Sequence, residues 1–77
     1  MLEKLRSLVG KKIRLQNGKL YTVVEDEFDI YAIRRLSKHM SERVTLVWKN
    51  THSFEYYYDS ELKHVNYVNY DIVDVLP

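Results

Sequence analysis

The chain has no cysteine, a single proline at its last position and only two glycines in 77 residues. Without cysteine, neither a disulfide framework nor a thiolate zinc site can support the fold. With so little proline and glycine, and 45% apolar residues, the composition is that of an ordered globule rather than a linker or disordered tail. No apolar run approaches the ~18–20 residues of a membrane span, and the first residues lack the apolar core of a signal peptide, so a cytoplasmic protein with no membrane partner is expected. Charge of one sign is also missing: twelve Lys and Arg face eleven Asp and Glu. The pI near 8.0 lies below the range of a dedicated duplex-DNA binder, about 9 and above.

The residues that are present describe one domain over 1–77. A chain this short buries only about 60–65% of its unfolded surface, so aromatic packing or association with another chain has to supply stability. Aromatics make up 13% of the sequence, seven of them tyrosine. The charges are segregated. Residues 1–24 carry six basic side chains against Glu3, and Glu25, Asp26, Glu27 and Asp29 then crowd four carboxylates into five positions. That cluster lacks the spacing of a calcium loop and reads as a solvated patch beside a turn.

Leu2, Leu5, Leu8 and Val9 fall on one side of a helical spiral that Gly10 terminates, predicting a short helix over about 2–9 that plugs one end of a barrel. Asn17-Gly18 between two alternating segments predicts a hairpin with a two-residue turn. Leu15 then faces Leu20, Ile13 faces Thr22 and Lys11 faces Val24 on the core side. Lys12, Arg14, Gln16, Lys19, Tyr21 and Val23 occupy the outer face. Ile30–Leu36 reads as a third strand, followed by a polar loop over 37–42.

A second hairpin joins Arg43–Lys49 to Ser53–Tyr58. A three-residue loop, Asn50-Thr51-His52, sets Trp48 against Phe54, Leu46 against Tyr56 and Val44 against Tyr58. This stripe of rings is expected in the core, with a stacking platform for bases as the alternative. Thr45, Val47, Lys49 and Tyr57 point the other way. Asp59–His64 reads as one helical turn capped by Asp59 or Ser60. Residues 65–76 supply the last strand, with a bend at Asn69 and Ile72, Val73, Val75 and Leu76 as its apolar part. The fold class is therefore mostly β, a small SH3-like or Sm-like antiparallel barrel of five or six strands behind a short N-terminal helix.

Over Leu8 to Ile33 the chain resembles the Sm-like proteins, especially the Hfq-type bacterial RNA chaperones. The resemblance rests on the leading helix, Asn17-Gly18 in the first hairpin, Phe28-Asp29 followed by Ile30-Tyr31-Ala32-Ile33, and the ending Ile72-Val73-Asp74-Val75-Leu76-Pro77. It implies that Tyr31 helps hold a uridine. The family's Lys-His pair before the last strand would fall on Asn69 and Tyr70 and is missing, Val23 replaces the glycine of the second strand, and about a dozen extra residues separate the halves.

Nothing in the sequence assembles an active site. His39, His52 and His64 lack metal-ligand spacing, no serine has the context of a nucleophile, neither glycine lies in a phosphate-cradling loop, and no cofactor is called for. The expected function is a non-enzymatic binding module that acts through another protein or through self-association, of the kind a phage or mobile element uses as an adaptor or inhibitor. Tyrosine suits such surfaces because it adds contact area at little entropic cost. The alternative is a binder of RNA or single-stranded DNA. The residues expected to meet a partner are Lys12, Arg14, Lys19, Tyr21, Tyr31, Arg34, Arg35 and Tyr57.

Overall fold

The computed structural model describes residues 1–77. The helix α1 (Leu2–Arg6) precedes six strands, β1 (Lys12–Leu15), β2 (Leu20–Glu25), β3 (Asp29–Arg35), β4 (Ser41–Lys49), β5 (Phe54–Tyr56) and β6 (Ile72–Val75). They form one antiparallel sheet in the order β5-β4-β3-β2-β1-β6, curled into a half-barrel. The expected fold class holds at this level. The first five strands are connected as successive hairpins, whereas β6 returns from the far end of the chain to pair with β1.

The α-helix is shorter than its apolar stripe predicts. After Arg6 the backbone tightens into turns in which Leu8 N–H donates to Leu5 C=O and Val9 N–H to Arg6 C=O. Gly10 then takes the left-handed conformation, φ +88°, that lets the chain turn into β1. Leu5 and Leu8 nevertheless enter the core, so the segment packs on the concave side of the half-barrel sheet.

Both hairpins pair in a register one residue from the expected one, and each shift changes which side chains are inside. In the first, Ile13 opposes Tyr21 and Arg14 opposes Leu20. The connection is therefore three residues, Gln16-Asn17-Gly18, with Gly18 at φ +84° and its N–H on Leu15 C=O at 2.8 Å. A glycine in the left-handed region serves this three-residue loop as well as it serves a two-residue turn. Tyr21 and Val23 consequently join Ile13 and Leu15 in the core, while Leu20, Thr22 and Val24 face outward.

The second hairpin turns on two residues, Thr51-His52. Asn50 N–H donates to Ser53 C=O, and Lys49 opposes Phe54, Trp48 opposes Glu55 and Val47 opposes Tyr56. A bulge in β4 skips Leu46, because Ile30 pairs with Val47 and Tyr31 with Thr45. Leu46 and Val47 are both fully buried as a result. The aromatic stripe does not form the core: Trp48, Phe54 and Tyr56 are exposed and only Tyr58 is buried. Trp48 also lies on the opposite sheet face from Phe54 and Tyr56, since pairing partners share a face.

Between β5 and β6 the barrel is spanned by a strap of irregular chain. Asp59 does cap a turn, its Oδ1 accepting from Glu61 and Lys63 N–H, but the turn closes without helix and Leu62 adopts φ +65°. Tyr58 bridges to His64, Ile72 N–H donates to Leu62 C=O, and the Tyr58 hydroxyl donates to Tyr70 C=O at 2.6 Å. A 3-10 turn at Val68–Tyr70 accounts for the expected bend at Asn69. Burial drives the Tyr58 hydroxyl pKa far up, so this donor stays protonated.

Candidate interaction surface

All thirteen buried residues are apolar or tyrosine, and α1 covers only the concave side of the sheet. The convex side carries no second layer. Strand register assigns its side chains to rows that cross the strands. One row runs Asp74, Arg14 and Leu20 over β6, β1 and β2 and is continued by the paired Arg35 and Ser41 of β3 and β4; the next runs Lys12, Thr22, Ile33 and Arg43, and a third Val24, Tyr31 and Thr45. Beyond the bulge, Asp29, Trp48 and Glu55 make the last row.

The centre of this face is apolar or uncharged, and cations stand on both sides of it. Leu20 is 37% exposed, with Thr22, Val24, Tyr31 and Ile33 half-buried. Lys12 and Arg14 rise from β1 on one flank; Arg35 and Arg43 rise from β3 and β4 on the other. With strands about 4.8 Å apart, the backbone positions of Lys12 and Arg43 lie roughly 14 Å from each other, enough to straddle one extended chain.

Several of these side chains are already oriented. The Arg43 guanidinium lies 3.6 Å from the centre of the Tyr31 ring, and its Nη2 meets Asp29 at 3.3 Å. Asp29 is mostly buried; desolvation first, and the neighbouring Asp26 carboxylate second, raise its pKa despite Arg43. Arg14 donates from Nη1 to Gly18 C=O at 3.0 Å and opposes Asp74 across the β1–β6 pair. Lys12 and Arg35 are exposed and make no ion pair.

Of the residues expected to meet a partner, Lys12, Arg14, Tyr31 and Arg35 are brought together here. Lys19 is exposed at the end of the β1–β2 turn beside Leu20. Tyr21 is not on this surface: it is 1% exposed, accepts from Asn17 Nδ2 at 3.1 Å and donates its hydroxyl hydrogen to Glu42. Desolvation raises its pKa, with Glu42 adding to the effect. Arg34 also turns to the concave side, where it pairs with Glu42 at 3.5 Å and its Nε is buried without a hydrogen-bond partner. Tyr57 is half-buried against the core and the strap, its hydroxyl 3.3 Å from Glu55. Nothing in the sequence marked Arg43, Leu20 and Ile33 as partner residues, and Trp48 entered only as the alternative to a core position. The outward position of Leu20 follows from the three-residue loop, and that of Trp48 from the bulge.

Arg6 and Lys49 are engaged elsewhere. Glu25 binds Arg6 at 2.9 Å and Lys49 at 2.6 Å at one end of the half-barrel, and these two hydrogen-bonded cations, Lys49 foremost, hold its carboxyl below the usual range. His39 and His52 are exposed, while the ring of His64 is surrounded by Tyr57, Tyr58, Tyr67 and Tyr70. No group of three or more His, Asp or Glu is placed to hold a metal ion. One open hollow is present, lined by the consecutive residues Asn50–Phe54 at the β4–β5 tip. No helix is long and apolar enough to cross a membrane. No protein-family model, curated protein or solved structure matches the chain.

Proposed function

We propose that this protein is a non-enzymatic binding module that engages another polypeptide through the convex face of its sheet. The observation that carries the reading is an uncovered apolar strip, Leu20, Val24, Tyr31 and Ile33, flanked by Lys12, Arg14, Arg35 and Arg43. Contiguous apolar surface rimmed by polar groups is the usual signature of a protein contact. A face of this kind binds by area, so no deep pocket is required of it.

The test is selection from a displayed random-peptide library, run in parallel on the wild type and on Ile33→Asp, with Leu20→Ser as a milder second variant. Circular dichroism and thermal melting establish that each variant is folded. The same proteins are titrated with a fluorescent single-stranded RNA at low and moderate salt. Peptides held by the wild type and released by both folded variants support the reading. Peptides held equally by all three overturn it, and RNA bound by all three in a salt-reversible way, with no peptide retained, overturns it in favour of the nucleic-acid alternative.

A further inference from the structure

Extending that reading, on which this inference rests, we infer that the polypeptide seated on the convex face is an acidic segment whose carboxylates meet Lys12, Arg14, Arg35 and Arg43 while its apolar side chains lie on Leu20 and Ile33. Several cations elsewhere on the molecule are already paired. Arg6 and Lys49 are tied to Glu25, Arg34 to Glu42, and Lys63 to Glu61. Lys12 and Arg35 have no carboxylate partner, Arg14 donates to a backbone carbonyl, and Arg43 gives Asp29 only Nη2. Within β1 to β4 the three rows that make up the strip hold no carboxylate; Asp74 on β6, opposite Arg14, closes one end of the first row. Positive charge on two flanks of an uncharged centre is complementary to an extended chain that alternates acidic and apolar residues, because same-side residues of such a chain recur about every 6.8 Å, the spacing of Lys12 from Arg14 along β1.

Arginine makes the match geometric as well as electrostatic. The Arg43 guanidinium carbon lies 3.6 Å from the centre of the Tyr31 ring, and a guanidinium held over an aromatic face keeps N–H groups available at its edge. Paired N–H donors fit a carboxylate in bidentate fashion.

Nucleic acid is the competing occupant of any basic face, and the rings here are wrongly disposed for it. Base stacking needs an open aromatic face. One face of Tyr31 is taken by Arg43, Tyr21 is buried, and Trp48 stands between Asp29 and Glu55 in its row, where two carboxylates oppose a phosphate backbone.

The experiment reads the composition and salt response of the peptides that the wild type retains. Retained peptides are expected to be enriched about threefold or more in Asp and Glu relative to Lys and Arg over the starting library. The tightest of them, synthesised with a fluorophore, is expected to lose about tenfold in affinity between about 50 and about 300 mM NaCl, and about as much on the Lys12→Glu/Arg35→Glu double variant. Retained peptides with no acidic enrichment, or acidic ones that bind the double variant as well as the wild type, overturn this inference; if those peptides still depend on Ile33, the binding-module reading stands without it. A uridine-rich RNA that binds more tightly than any retained peptide, and loses its affinity in the double variant, overturns both.

Discussion

Tyr21 shows how much one side chain decides. Its ring is buried in the core, and its hydroxyl joins Asn17 to Glu42. Tyr21→Phe keeps the ring and removes the hydroxyl, so it is expected to cost about 1–2 kcal/mol in urea unfolding, with Glu42 and Arg34 left to each other. The same contact makes stability depend on pH. The hydrogen bond from Tyr21, aided by Lys19 and Arg34, holds the Glu42 carboxyl below its usual range. A depressed carboxyl pKa contributes stability that is complete above the unfolded value, about 4.3, and is lost as pH falls through the folded one. Unfolding free energy is therefore expected to drop below about pH 4.3, and Glu42→Gln to flatten part of that drop in acid titrations followed by fluorescence. Glu25 acts in the same direction; Asp29, whose pKa is raised by burial, opposes both. None of this network was legible from sequence, because Tyr21 alternates with apolar neighbours and either face satisfies the pattern.

At the scale of the element, the strands themselves were legible and their registers were not. Alternation located β1 to β4 within a residue or two, but a left-handed glycine is common to two loop lengths, and each length sends Tyr21 to a different face. The β4 bulge was hidden for a similar reason: Leu46, Val47 and Trp48 are three apolar residues in succession, and only pairing with β3 shows which two go inside. Gly18→Ala tests the loop. Nothing lies within 4 Å of an added Cβ, so the whole cost is conformational. Ala is expected to lower stability by roughly 1–2 kcal/mol and Asn, which tolerates φ > 0, by less, measured by urea denaturation.

The strap makes a second prediction at this scale. His64 Nδ1 accepts the N–H of Asn66 at 3.1 Å and of Tyr67 at 3.0 Å, so these turns need the neutral imidazole. Burial lowers the His64 pKa, and the Asp71 carboxylate only partly opposes it. A histidine held below its unfolded value of about 6.5 stabilises the fold above that value and loses this contribution as pH falls beneath it. Amide exchange at Asn66 and Tyr67, corrected for intrinsic rates, is expected to accelerate below about pH 6.5 while β3 amides stay protected. Equal protection across that range would mean that His64 does not hold the strap.

For the molecule as a whole, the mostly-β class and the leading helix followed from hydrophobic pattern and composition. The convex surface followed only in part. Lys12, Arg14, Tyr31 and Arg35 were recognisable as outward or basic positions, but assembling them with Arg43 needed the β3–β4 register, and exposing Leu20 needed the first loop. A surface is a property of several registers at once, and an error of one residue in any of them rearranges it.

The pairing of β6 with β1 joins Ile13 to Val75 across most of the chain, while every other strand pair is closed by a neighbouring hairpin. Loop-closure entropy makes that pairing the last to form during refolding. Until it forms, β1 is an open slot, and another molecule's β6 fits it as well as the chain's own. Rapid dilution from urea at high protein concentration is therefore expected to trap a domain-swapped dimer that slow dialysis avoids, which size-exclusion chromatography with light scattering would reveal as a second peak of doubled mass.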